Sequence, residues 1–310
     1  LLGGPVSGII IGVILAGAVR RLPVMQAGIK TASKFVLQLS VVILGSQLSL
    51  AEVAKVGLES LPVMLGTLVV CLVSAWLIGR WLGIIGDLRT LIGVGTGICG
   101  ASAIAAVTPV IGAVSIDVAY AISTIFLFNV AAVLTFPLLG HALGLSQHAF
   151  GLFAGTAVND MSSVVATAST YGAAATNFAV VVKLVRTLMI IPISLGLAAW
   201  AGRRIQRNES EPAVEHTRAR VHVAKLVPWF LIGFIVVAAI NSFGLIPAAA
   251  HQPLSSVSVF LITIALSAIG MSNDLAGFKR AGPKPLILGG CLWIIVSLTS
   301  LGLQYATHLV

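Results

Sequence analysis

GTAVNDMSSVVATAS, residues 155–169, sets Asn159, Asp160, Ser162 and Ser163 together in the middle of a very hydrophobic chain. A carboxylate in such a setting demands a reason, because ionisable groups at membrane depth are costly and by default mark functional sites. Residues 95–107, GTGICGASAIAAV, have the same layout: Gly-Thr first, a serine in eighth place, and small apolar residues after it. One stretch opens at Gly95 and the other at Gly155, and together they form a Gly-Thr repeat.

The rest of the chain explains what surrounds them. Of 310 residues, 58% are hydrophobic and 9% charged, and the mean hydropathy is +1.08. A soluble globule carries about 25% charged residues, so the composition specifies a polytopic membrane protein. The apolar runs are about 20 residues long, the length of helix that spans a ~30 Å hydrocarbon core, and they lack the alternation of barrel strands. The expected fold is all-α, with about ten membrane-embedded helical segments at 8–20, 31–50, 59–81, 90–111, 117–140, 150–172, 177–201, 223–244, 252–272 and 283–306. The polar stretch GRRIQRNESEPAVEHTRARVHVAK forms a cytoplasmic linker at about 202–222, too small for a folded domain, so residues 1–310 read as one transmembrane transporter domain.

Basic residues set the orientation. Arg20, Arg21, Lys30 and Lys34, then Arg80 and Arg89, the linker, and Lys279, Arg280 and Lys284 mark four loops expected to be cytoplasmic. The net charge of +9 is therefore chiefly a topology signal and implies no nucleic-acid partner. Cys71, Cys99 and Cys291 lack metal-binding spacing and the few histidines do not cluster, so neither a metal nor a cofactor is expected. Gly100-Ala101-Ser102 faintly resembles a serine-nucleophile turn, but no histidine lies where a base would be needed, and the chain reads as no enzyme.

A second, long-range repeat joins 42–65 (VILGSQLSLAEVAKVGLESLPVML) to 267–290 (SAIGMSNDLAGFKRAGPKPLILGG), with Gly45 matched to Gly270 and Gly57 to Gly282 at one constant shift. The basic loops run the two copies in opposite directions, which makes the repeat inverted, the pattern of transporters whose site lies where the halves meet. For the Gly-Thr repeat two arrangements are open. If 90–111 and 150–172 both cross fully they run parallel; if each is a re-entrant hairpin they enter from opposite faces. The second also places GHALGLSQH (140–148), with no Lys or Arg, outside, and is the one expected.

Gly95, Gly97, Gly100 and Pro109 weaken a helix interior, and irregular backbone survives in a bilayer only where protein or a wet cavity satisfies it. Helix N-termini freed by a break favour anions, and freed carbonyls favour cations. Close helix packing is the plainer reason for the glycines, but packing needs neither Asn159 nor Asp160. Lys183 and Arg186, in NFAVVVKLVRTLMIIPI (177–193), share one helix face at roughly 10 and 14 Å into the span. Asp160 is the expected counter-charge, and the one positive charge left over suits an anion site; a purely structural ion pair is the alternative. Gln38, Ser40, Gln47, Asn129 and Asn241 read as interhelical hydrogen-bonding residues.

Together GTGICGASAIAAVTPVI, GTAVNDMSSVVATAS, VKLVRTLMIIPI, PWFLIGFIVVAAINSFGLIP and LAGFKRAGPKPLIL resemble the YeiH-like sulfate exporter family of bacterial inner-membrane proteins, along essentially the whole chain. That family is similar to the sodium/proton antiporter and bile-acid symporter superfamily, which implies a core with two broken elements moving against a scaffold. The resemblance also implies about one more N-terminal span. Some relatives carry His-Glu where this chain has Asn159-Asp160, and an Asn-Asp pair near a lysine also resembles the site of electroneutral sodium/proton antiporters, so the coupling ion stays open. The expectation is a multi-pass secondary transporter of the bacterial inner membrane that exports a small anion such as sulfate or a sulfonate, with a homodimer allowed for. Thr96, Gly97, Cys99, Gly100, Ser102, Thr156, Asn159, Ser162, Ser163, Lys183 and Arg186 are the expected substrate-binding residues, and Asp160 the group that binds the coupling proton or sodium. A sodium/proton antiporter is the alternative within transport, and a non-transporting receptor or assembly subunit the alternative of another class.

Overall fold

The computed structural model describes residues 11–12, 14–15, 23–84, 87–207, 228–272 and 282–309. The expected first segment at 8–20, most of the linker and the middle of the second copy of the long-range repeat fall largely outside these residues. Every regular element among the described residues is helical. They are α1 (Pro23–Thr31), a π-helical turn (Ala32–Val36), α2 (Leu37–Leu44) with a 3-10 turn (Gly45–Gln47) at its end, α3 (Leu50–Trp81), α4 (Asp87–Gly97), α5 (Ala101–Ile111), α6 (Ser115–Ala142), α7 (Gln147–Ala157), α8 (Met161–Tyr171), α9 (Ala173–Leu188), α10 (Ile190–Arg207), α11 (Trp229–Ser242), α12 (Ala248–Ser272) and α13 (Pro283–Ala306). The helices α3, α6, α12 and α13, and the 173–199 run through α9 into α10, are each long and apolar enough to cross a membrane.

The Gly-Thr repeat is carried into the helix boundaries. At the shift that separates Gly95 from Gly155, α4 maps end for end onto α7 and α5 onto α8, and a glycine, Gly112 or Gly172, closes each pair. Both pairs turn back on themselves. A Cβ on Gly95 would lie 2.9 Å from Ile104, nine residues on, whereas a continuous helix would separate them by about 13 Å. In the second pair Phe150 and Tyr171 stack at 3.9 Å, the Tyr171 hydroxyl donates to the Leu145 carbonyl, and Ala174 N–H donates to Gln147 Oε1 at 3.1 Å. With only α6 between them, two hairpins that each return to their own face must enter from opposite faces.

The chemistry of the two turns differs although their geometry is alike. In the first, Gly100 takes φ +68°, ψ −133°, a conformation that a side chain strains. In the second, Val158 is extended and Asp160 caps α8 by accepting a hydrogen bond from Ser163 N–H at 2.7 Å. From Gly172, α9 runs parallel to α7 and close against it: a Cβ on Gly155 would meet Val182 at 2.8 Å.

The long-range repeat also has a structural counterpart. Helix α13 coincides with Leu58–Trp81 of α3 at the shift from Gly57 to Gly282, and the two pack antiparallel, with Gly66 against Leu303 and Gly83 against Lys284. Helices α2 and α12 are likewise antiparallel, with Gln47 donating to the His251 carbonyl at 3.0 Å and Ser258 to the Ser40 carbonyl at 3.0 Å. A capping box of Ser49 and Glu52 starts α3.

One expected outcome tests the hairpins. Ala142→Cys and Ala173→Cys should both react with an impermeant maleimide from one side of the membrane, and Ser115→Cys from the other. Labelling of Ala142→Cys and Ala173→Cys from opposite sides would show that 147–171 crosses.

Candidate functional site

The tips of the two hairpins meet inside the protein. A Cβ on Gly100 would lie 3.0 Å from the Cβ of Asp160, so the first turn rests directly on the second. Here α4 and α7 both end, and each leaves carbonyls that no following turn of helix satisfies. Each helix end also carries about half a negative charge. Two such ends face to face in a medium of low dielectric would repel, and their carbonyls would lack donors.

Lys183 and Arg186 supply both the donors and the charge. Lys183 Nζ donates to the Ile98 and Val158 carbonyls at 2.8 Å each, positions equivalent under the Gly-Thr repeat. Arg186 Nε donates to the Gly97 carbonyl at 2.6 Å, and its Nη1 to the Thr156 carbonyl. Both side chains are wholly buried. Being three residues apart on α9, they lie on one face and can span both tips. The expected pairing with Asp160 is therefore corrected: its carboxylate attracts Lys183 at a distance, but among the described residues no ion pair joins it to either base. The backbone carbonyls take that place.

The other halves of the two breaks open differently. A cavity of about 640 Å³ is lined by Cys99, Ala101 and Ser102 from the first tip, Asp160, Met161 and Ser162 from the second, and Thr187 from α9. The N-termini of α5 and α8 thus both face it. Asp160 occupies the second of them: Oδ1 accepts from Ser163 N–H and the Ser162 hydroxyl, and Oδ2 accepts from Asn129 Nδ2. Asn129, in the middle of α6, also accepts from Asn159 N–H at 3.1 Å and so pins the second turn. The other wall comes from 33–41, with Ser33, Lys34 and Gln38, and from Pro228 and Phe230.

The expected site residues therefore divide. Cys99, Ser102, Asp160 and Ser162 line the cavity; Gly100 forms the contact between tips, and Ser163 N–H donates to the capping Asp160 beside it. Thr96, Gly97, Thr156, Asn159, Lys183 and Arg186 lie behind the tips, off the cavity wall. Thr156 bonds to the Leu152 carbonyl and to Ser300 of α13, both at 2.7 Å. Gln38, Gln47, Asn129 and Asn241 make the interhelical bonds expected of them, while the Ser40 hydroxyl bonds within its own helix. Sequence reasoning missed Lys34, which read as a loop marker, and the part Asn129 takes in the site; an amide in the middle of a long apolar helix was the available signal for the second.

Comparison with known proteins agrees with a membrane assignment. A family model described as conserved hypothetical protein 698 matches residues 2–289. A UPF0324 membrane protein of Streptococcus mutans is 41% identical over 316 residues, covering 98% of this chain and 90% of the relative. Another, of Streptococcus pneumoniae, is 42% identical over 312 residues with the same coverage. A third, of Streptococcus agalactiae, is 40% identical over 312 residues, again with the same coverage. No solved structure matches.

Proposed function

The chain belongs to the family described as conserved hypothetical protein 698, the YeiH-like group of UPF0324 membrane proteins that its motifs resemble, and we propose that it is a secondary active transporter of a small anion such as sulfate or a sulfonate. The observation that carries this reading is the pair of hairpins inserted from opposite faces, with touching tips and two helix N-termini opening onto one cavity. Irregular backbone at membrane depth persists only where protein or a wet cavity satisfies it, and N-termini directed into a cavity favour anions.

Asp160 supplies the coupling. As a carboxylate it is a tethered anion on the α8 N-terminus, held by Ser162, Ser163 and Asn129, and it competes there with any anion from solution. A proton on it removes the competing charge and frees that end of the helix. Proton and anion then occupy the site together, and the hairpins can move relative to the 33–41 wall with both aboard. The charged groups facing Asp160 are Lys183 behind the tips and Lys34 across the cavity. The activity is transport rather than catalysis, and the bacterial inner membrane is the proposed location.

Sulfate binding, together with sulfate uptake into proteoliposomes with and without an imposed proton gradient, tests the reading. Asp160→Asn should still bind sulfate but lose the dependence of uptake on an imposed proton gradient expected of the native protein. Sodium binding that disappears in Asp160→Asn, with sulfate bound by neither protein, would overturn the proposal in favour of a sodium/proton antiporter.

A further inference from the structure

Lys183 and Arg186 are the bases that sequence reasoning offers to an anion, but Lys183 Nζ and Arg186 Nε and Nη1 donate to the Ile98, Val158, Gly97 and Thr156 carbonyls, Arg186 Nη2 is buried without a partner, and neither side chain lines the cavity. The cavity has two charged side chains among the described residues, Asp160 on the hairpin wall and Lys34 on the facing wall. Lys34 is exposed to it from the π-helical turn Ala32–Val36. Such a turn departs from the regular ladder of an α-helix and occurs often at functional sites. A lysine in an apolar segment needs an anionic partner or water; here the cavity provides the space and the N-termini of α5 and α8 provide further positive potential.

We propose that Lys34 is the anion-binding base of this protein and that it sets the valence of the anion carried. The inference rests on the anion-transport reading and adds the residue and the charge of the substrate. Lys183 and Arg186 stand behind the tips, where the C-terminal ends of α4 and α7 offset part of their charge, so on the cavity walls themselves the positive charge is one unit from Lys34 and about half a unit from each of two helix N-termini. When Asp160 is protonated the sum is about two units, which matches a doubly charged oxyanion held between the two walls. When Asp160 is ionised the sum falls to about one unit and a dianion is no longer balanced. Lys34 stands on a different wall from the hairpin tips, so the bound anion also ties the two walls together.

Binding of sulfate, a dianion, and methanesulfonate, a monoanion with the same sulfur-oxygen group, separates the possibilities in the purified full chain. Lys34→Gln should weaken sulfate binding by about tenfold or more and methanesulfonate binding by about threefold or less, because the second charge is the one left unbalanced. Lys34→Arg keeps the charge and should restore most of the sulfate affinity. In the native protein, sulfate should protect Lys34 itself from an amine-acylating reagent, read by peptide mass spectrometry, and this measurement needs no variant. Unchanged affinities for both anions in Lys34→Gln, or equal losses for both, would overturn the role given to Lys34 while leaving anion transport standing. Native protein that binds neither anion would overturn both.

Discussion

Arg186→Gln should destabilise the folded protein by about 2–6 kcal/mol, because the Gly97 and Thr156 carbonyls lose their donors and each buried unsatisfied group costs about 1–3 kcal/mol. The two carbonyls belong to different hairpins, so the loss falls on the contact between the tips as well as on either hairpin alone. Arg186→Lys keeps the charge but replaces a planar fork by a single ammonium, which cannot satisfy both carbonyls in the geometry that Nε and Nη1 hold, and should recover only part of the loss. Anion flux should fall with the tip contact, although Arg186 does not line the cavity. Thermal unfolding in detergent, followed together with sulfate uptake, measures both effects. A melting temperature equal to that of the native protein would show that the guanidinium does not hold the tips.

Gly100→Ala carries the second large effect. The residue has φ +68° and ψ −133°, which costs a side-chain-bearing residue about 1–3 kcal/mol. The added methyl would lie 3.0 Å from Asp160 Cβ, so one turn must also move away from the other. Backbone strain and tip separation act together, and the variant should lose both stability and anion binding. Gly196→Ala, in α10, is the matched control: its Cβ would meet nothing within 4 Å, and alanine suits a helix better than glycine. Equal behaviour of the two variants would remove the special role of Gly100.

Much of this architecture is legible in the residues. The composition names the class, the two Gly-Thr motifs locate the breaks, and both repeats reappear in the structure, one as matched helix boundaries and the other as antiparallel partners. Hydrogen-bonding amides on apolar helices also read correctly at Gln38, Gln47, Asn129 and Asn241. The partner of the buried bases did not. Asp160 is a distinctive letter in an apolar chain, whereas the groups that hold Lys183 and Arg186 are backbone carbonyls, which every residue has.

The sequence by itself determined that the chain lies in a membrane as a bundle of helices, where its helices break, and that an acid and two bases sit near the breaks, because burial preference and helix propensity are properties of local stretches. Tertiary structure alone decided three further matters. A hairpin and a full crossing can share one length and one hydropathy, and only the contacts Gly95–Ile104 and Phe150–Tyr171 distinguish them. The freed carbonyls of two distant segments become a cation cradle only when the tips meet. Lys34 becomes part of the cavity only because the π-helical turn faces the hairpin tips across it, and the electrostatics of a site depends on distances through space that spacing along the chain does not encode.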